Sequence, residues 1–341
     1  MCSLRLRHDR RQILTGFSSA LSAGLAAAHG SAPVFAQAAP PETLPAFDDR
    51  VVTDPATRRR IGVRLRFPAS EAPAPLIVYS PGLGSGLSNG ASWCEAWRQA
   101  GFVVATMNHP VTGDAVFAGS RGSLSSNMAQ ALAGGQYPAR IADAKFVIAQ
   151  CLGPLGIAAR FDRTRIGIAG HSYGAIIATL MAEEMAREKT PLVKAVVAFS
   201  PGVINPGSAQ RAAVIRSPYF CVTGDHDNFV TFSKGGESRR VGVPLANRLA
   251  VYRALPPGAK QLLVLARADH MTFAGEPLNP AQFSRDVPAG PRENAAAWGR
   301  LNHATTLFWQ RYLMAGPQTP RADYVAAVRQ GLTAQDKFEA G

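Results

Sequence analysis

An apolar run, Arg165-Ile166-Gly167-Ile168-Ala169, leads directly into Gly170-His171-Ser172-Tyr173-Gly174, and a helical run from Ala175 to Arg187 follows at once. Strand, tight turn with a central serine, helix: this is the context of a nucleophile elbow. Such a turn is strained, so the positions beside the serine need residues without a bulky Cβ, and glycine supplies them on both sides. The strain lifts the Ser172 hydroxyl above the end of a sheet, where a base and a substrate carbonyl both reach it. A second copy of the pattern, Gly86-Leu87-Ser88-Asn89-Gly90, lacks that context. The nearest apolar strand, Pro75 to Ser80, ends several residues before it, so Ser88 reads as loop or helix cap.

Three further features converge on Ser172. Ala259 to Ala266 reads as a short buried strand, and Arg267-Ala268-Asp269-His270-Met271-Thr272-Phe273 is the loop after it. An imidazole at such a strand end has an unperturbed pKa near 6.5 and suits the task of taking the serine proton, which makes His270 the candidate base. Pro218 to Thr223 is another strand, and Gly224-Asp225-His226-Asp227-Asn228 follows it. A carboxylate there fixes the tautomer of His270 and stabilises its imidazolium form. Asp227 is the candidate, with Asp225 competing for the role. The chain order Ser172, Asp227, His270 is that of an α/β-hydrolase and of neither major serine-protease arrangement. Finally, the apolar strand Leu76-Ile77-Val78-Tyr79 exits through Ser80-Pro81-Gly82-Leu83-Gly84-Ser85. Acyl transfer creates an alkoxide that needs preorganised N–H donors, and the backbone N–H groups of Leu83 and Tyr173 are the candidates for that oxyanion hole.

Around these motifs strands and helices alternate. Asp49 to Asp54 and Arg60 to Phe67 read as antiparallel strands around the turn Asp54-Pro55-Ala56-Thr57. Strands follow at 76–80, 102–107, 164–169, 192–199, 218–223 and 260–266, with helices at 92–100, 138–151, 172–187, 244–254 and 292–312. The alternation implies an α/β fold with a mostly parallel central sheet and helices on both faces. The candidate site residues all leave the carboxyl ends of strands, where open α/β sheets place their ligands. Three longer segments, Val111 to Gln136, Asn228 to Val243 and Ala274 to Pro291, are expected to shape the acyl and alcohol pockets. His109 and Phe273 are expected either to line that cleft or to pack beneath it.

With these residues in place, the chain resembles the α/β-hydrolase superfamily, and within it the bacterial dienelactone-hydrolase-like and platelet-activating-factor-acetylhydrolase-like esterases. The matching pieces are Ser80-Pro81-Gly82-Leu83-Gly84, Gly101 to Ala105 with Asn108-His109-Pro110, Arg140 to Val147, Gly170 to Gly174, and Asp269 to Phe273. Two departures qualify the match. Pro81 stands where the family usually has histidine before the first oxyanion glycine. Phe199-Ser200-Pro201-Gly202 holds no carboxylate where the animal acetylhydrolases carry their acid. The resemblance implies an esterase, but not platelet-activating factor as its substrate.

The chain has 341 residues, 47% hydrophobic and 17% charged, enough for one large core. The first 36 residues stand apart. Arg10-Arg11 heads a twin-arginine pattern, Phe17 to Ala28 is mildly apolar, and Val34-Phe35-Ala36 is a small-residue cleavage site. The expected organisation is a signal peptide over 1–36, a linker over 37–46, a catalytic domain over 47–316 and a tail over 317–341 packed on or extending that domain. The expected location is periplasmic or secreted, with no stable membrane anchor. The net charge of +13 comes from scattered arginines. No basic run exceeds Arg58-Arg59-Arg60, so nucleic acid is not an expected partner. Cys94, Cys151 and Cys221 remain after the leader, with spacing that fits no metal site. A pair between Cys94 and Cys151 is compatible with an oxidising compartment. The resulting expectation is a serine carboxylic-ester hydrolase for short or medium acyl esters, needing neither metal nor organic cofactor. The alternatives are a lipase or polyesterase for long-chain or polymeric esters, and a non-catalytic binding protein on the same fold.

Overall fold

Asp54 turns the chain by accepting hydrogen bonds from the Ala56 N–H and the Thr57 hydroxyl. The turn joins β1 (Phe47–Thr53) to β2 (Arg60–Arg66), which pair antiparallel. The computed structural model describes residues 47–116, 122–188, 191–202, 207, 209–234, 237–275, 291–314 and 319–341. The expected leader and linker, and residues 276–290 of the third long segment, lie outside them. After the hairpin come β3 (Ala74–Ser80), α1 (Ala91–Gln99), β4 (Val103–Asn108), α2 (Leu124–Ala131) and α3 (Gln136–Cys151). The middle of the chain is β5 (Phe161–His171), α4 (Tyr173–Met185), β6 (Val193–Phe199) and β7 (Tyr219–Gly224). The last third runs β8 (Phe229–Lys234), β9 (Glu237–Gly242), α5 (Leu245–Ala254), β10 (Lys260–Leu265), α6 (Pro291–Leu313), α7 (Arg321–Gln330) and β11 (Lys337–Ala340).

Among the described residues one sheet of nine strands forms, in the order β1-β2-β4-β3-β5-β6-β7-β10-β11. The neighbours from β4 to β10 are parallel, while β1, β2 and β11 join antiparallel at the edges. β3 is buried at every position, as a strand covered on both faces must be. Its alternate side chains enter different cores. Leu76 and Val78 pack with Val147, Ile177 and Val251 of α3, α4 and α5, whereas Ile77 and Tyr79 pack with Trp93, Trp309 and Val328 of α1, α6 and α7. The two layers fix the cysteines. Cys94 lies in the second core, Cys151 and Cys221 in the first, and all three are free and buried. Cys94 and Cys151 therefore sit on opposite faces of the sheet and form no pair.

Several elements go beyond the sequence expectation. Residues of the first long segment form α2, and the second forms the hairpin of β8 and β9. α2 lies beside β8. They arise after β4 and after β7, with β3, β5 and β6 between those strands in the sheet, so the two insertions meet across its carboxyl edge. At the far end, β11 adds to β10, and the Gly341 N–H donates to Lys260 O at 2.8 Å. No described helix is long and apolar enough to cross a membrane.

Candidate active site

β5 ends at His171 and α4 begins at Tyr173, which leaves one residue to reverse the chain. That residue, Ser172, takes φ 53° and ψ −113°, a conformation that L-residues rarely adopt. The two glycines are dictated by close approach. A Cβ on Gly174 would stand 1.8 Å from Ser80 O, and one on Gly170 would stand 2.4 Å from the Gly174 carbonyl. The elbow is pinned further by the Ser172 N–H, which donates to Phe199 O at 2.9 Å.

His270 leaves the end of β10 and points its Nε2 at Ser172 Oγ, 3.0 Å away. Its Nδ1 lies 3.1 Å from Asp227 Oδ1. An ionised carboxylate only accepts, so a proton on Nδ1 faces Asp227 and leaves the Nε2 lone pair for the serine hydroxyl. Asp227 is wholly buried and also accepts from Thr223 Oγ1 at 2.9 Å. Asp225 is exposed and accepts instead from the Arg267 N–H at 2.6 Å, bracing the loop that carries His270. Of the two carboxylates, the fold brings only Asp227 to the imidazole. Ser200, in the turn after β6, adds its hydroxyl 2.8 Å from His270 Nδ1. His171 reaches from the elbow with its Nε2 3.1 Å from His270 O, and the two rings lie 4.8 Å apart.

The electrostatics follow from burial and from these neighbours. Burial would raise the Asp227 pKa, but the His270 hydrogen bond and the charges of His270 and Arg248 hold it below the usual carboxylate range. Burial lowers the pKa of His270, Arg248 reinforces the shift, and Asp227 and Asp269 oppose it. His171 is driven well below its ordinary value, chiefly by burial, and stays neutral.

The strand exit 80–85 lies against the elbow, because a Cβ on Gly82 would stand 3.6 Å from Ser172 Cβ. Arg140, 0% exposed, holds this exit. It donates to Pro81 O at 2.7 Å, Gly82 O at 3.3 Å, Thr112 O at 2.9 Å and Thr112 Oγ1 at 2.7 Å. A planar trans peptide directs its N–H opposite to its C=O, so the grip on Gly82 O turns the Leu83 N–H away from Arg140. Tyr173 opens α4, and the first N–H groups of a helix have no acceptor within it. The Arg140 guanidinium also lies over the Tyr173 ring, 4.6 Å from its centre, and Tyr137 stacks on that ring at 4.7 Å.

Beneath the strand exit lies a second Ser-His-Asp set. Ser80 Oγ is 3.0 Å from His109 Nε2, and His109 Nδ1 is 2.9 Å from Asp143 Oδ2. Arg59 closes on Asp143 with two contacts of 2.7 Å. All three members are buried, and His109 is pushed down to about 4, first by burial and then by Arg140. His109 therefore does not line a cleft, and neither does Phe273, which is 0% exposed in the second core. Ser88 lies in a turn, and the residue before α1 is Gly90.

The sequence reading assigned no role to Arg140, Asp143 or Arg248. A signal was present, since Arg140, Asp143, Ala144 and Val147 share one helical stripe, as do Arg248, Val251 and Tyr252. A charge on an apolar stripe must find partners inside. Among the described residues, no group of three or more His, Cys, Asp and Glu side chains is placed to hold a metal ion.

A family model described as alpha/beta hydrolase fold matches residues 134–277. That span takes in Ser172, Asp227 and His270 and stops short of the strand exit at 80–85. No curated protein matches the sequence. Among solved structures, a ferulic acid esterase from Streptomyces cinnamoneus is similar, with a TM-score of 0.59 and 22% identity. The match covers 84% of this chain and 96% of that one. The chain has the α/β-hydrolase fold.

Proposed function

We propose that this protein is a serine carboxylic-ester hydrolase acting on short or medium acyl esters. The observation that carries the reading is the 3.0 Å approach of His270 Nε2 to Ser172 Oγ with Asp227 3.1 Å behind the ring. Ser172 attacks the ester carbonyl as His270 takes its proton, and Asp227 stabilises the imidazolium. The N–H groups of Leu83 and Tyr173 hold the oxyanion. His270 returns the proton to the departing alkoxide, which leaves an acyl-Ser172. Water, deprotonated by His270, then adds to the acyl carbon, and the acid departs as Ser172 recovers its proton. No step draws on a metal or an organic cofactor.

The resemblance of 80–84, 108–110, 140–147 and 269–273 to dienelactone-hydrolase-like esterases supports ester rather than amide chemistry. The likeness to a protein named a ferulic acid esterase adds feruloyl esters to the substrates worth assaying. The twin-arginine pattern at Arg10-Arg11 supports export to the periplasm or beyond.

The test is hydrolysis of p-nitrophenyl acetate and butyrate, long-chain esters and a feruloyl ester. Ser172→Ala is expected to lower kcat by roughly 10⁴–10⁶. Asp227→Asn is expected to cost roughly 10⁴, as an orienting carboxylate does, and Asp225→Asn far less. Unchanged turnover in Ser172→Ala ends the reading. A preference for long acyl chains replaces it with a lipase or polyesterase.

A further inference from the structure

α5 brings a cation into the relay. Arg248 shares the buried stripe of that helix with Val251 and Tyr252 and is 2% exposed. A guanidinium in that position needs acceptors for a rigid fork of N–H groups. Its Nη1 donates to Ser200 O at 3.2 Å and its Nε to Asp227 O at 3.4 Å. Its Nη2 lies 3.1 Å from Asp227 Oδ1 and 3.2 Å from His270 Nδ1. Arginine and imidazole thus compete for one carboxylate oxygen. The acid has partners without it: Thr223 serves Oδ2, the ring serves Oδ1, and the Ser200 side chain adds a further hydrogen bond.

We propose that Arg248 is a positioning residue that fixes Asp227 and the Ser200 turn around His270 and, by repelling an imidazolium, keeps that base free in mildly acidic water. The proposal rests on the Ser172–His270–Asp227 reading above. Among the described residues, the charged groups facing the ring all enter the balance. Asp227 comes from the loop after β7, Asp269 from the ring's own loop and Arg248 from α5; His171, at the end of β5, is neutral, and Ser200, after β6, is polar. The two carboxylates favour the charged ring. Arg248 opposes it directly and also weakens the pull of the oxygen that it shares.

The measurement is the rate of active-site labelling by a fluorophosphonate between pH 4 and 9, which reads the base without reference to any ester. In Arg248→Met and Arg248→Gln the acid limb is expected to move to higher pH by about one unit or more. In Arg248→Lys, which keeps the charge, it is expected to stay close to that of the unaltered protein. A folded neutral variant with an unmoved or lowered limb overturns the proposal. If neither neutral variant folds, the His270 ring is titrated by NMR in the Ser172→Ala protein, and a midpoint at or above about 6.5 overturns it. Labelling that persists in Ser172→Ala refutes the relay itself, a result distinct from a failure of Arg248 alone.

Discussion

Ser172 is held at positive φ by the elbow, and the energy stored there, of order 1–3 kcal/mol, is offset by the surrounding sheet and helix. The turn was legible because its demands are local: two glycines, one strand before and one helix after. His270 and the loop holding Asp225 and Asp227 were legible because each follows an apolar strand; the choice between the two carboxylates came only with the fold. The environment of His270 was not. Arg248 lies 22 residues before it in the chain and Ser200 70 residues before it, and only the folded sheet brings them to Nδ1. Their effect on pH dependence has a definite sign. In the relay proposed above, His270 accepts the serine proton only when neutral, so kcat/KM is expected to rise as the ring loses its proton. The ring's pKa lies below its ordinary value because of burial and Arg248, so the acid limb is expected below about 6.5. A pH–rate profile with its acid midpoint above that value contradicts the description.

At the scale of elements, the inner strands β3, β4, β5, β6, β7 and β10 read clearly because each holds an apolar run bounded by turn residues. β8 and β9 did not, although the sequence places Gly235-Gly236 between them, because polar residues such as Arg239 and Arg240 mask any apolar alternation. β11 is four residues long and gains its definition from pairing with β10. α3 was expected, but not its role as the beam beneath the strand exit. Arg140 spans the carbonyls of Pro81, Gly82 and Thr112 at once, a span suited to a planar fork and not to an ammonium. Arg140→Lys is therefore expected to fold yet lose about a hundredfold in kcat with little change in KM, since the exit loop shifts against the elbow. Steady-state kinetics alongside a thermal melt check this. Equal losses in kcat and in stability, with kcat per active site restored by titration, contradict it.

For the whole molecule, the two apolar layers and the parallel sheet follow from alternation along the chain, whereas the polar groups sealed inside those layers do not. His109 is buried and neutral, with its pKa pushed down to about 4. In the unfolded chain the same ring takes up a proton near pH 6.5. Between those values the unfolded state binds more protons, so stability rises with pH and falls on acidification. His109 alone accounts for about 3 kcal/mol of that loss by pH 4. Urea unfolding at pH 7 and pH 4.5 is expected to show a marked drop, and His109→Gln is expected to narrow it. Equal stability at both pH values contradicts the assignment of a neutral interior His109. The paired Ser-His-Asp sets carry a wider consequence. A three-residue template laid over the described residues fits twice, with nearly identical spacings. Only the copy at a half-open bend can meet a visitor from outside; the other, walled in, serves as masonry. Proximity of hydroxyl, imidazole and carboxylate is thus a poor diagnostic of reactivity unless access is asked about first.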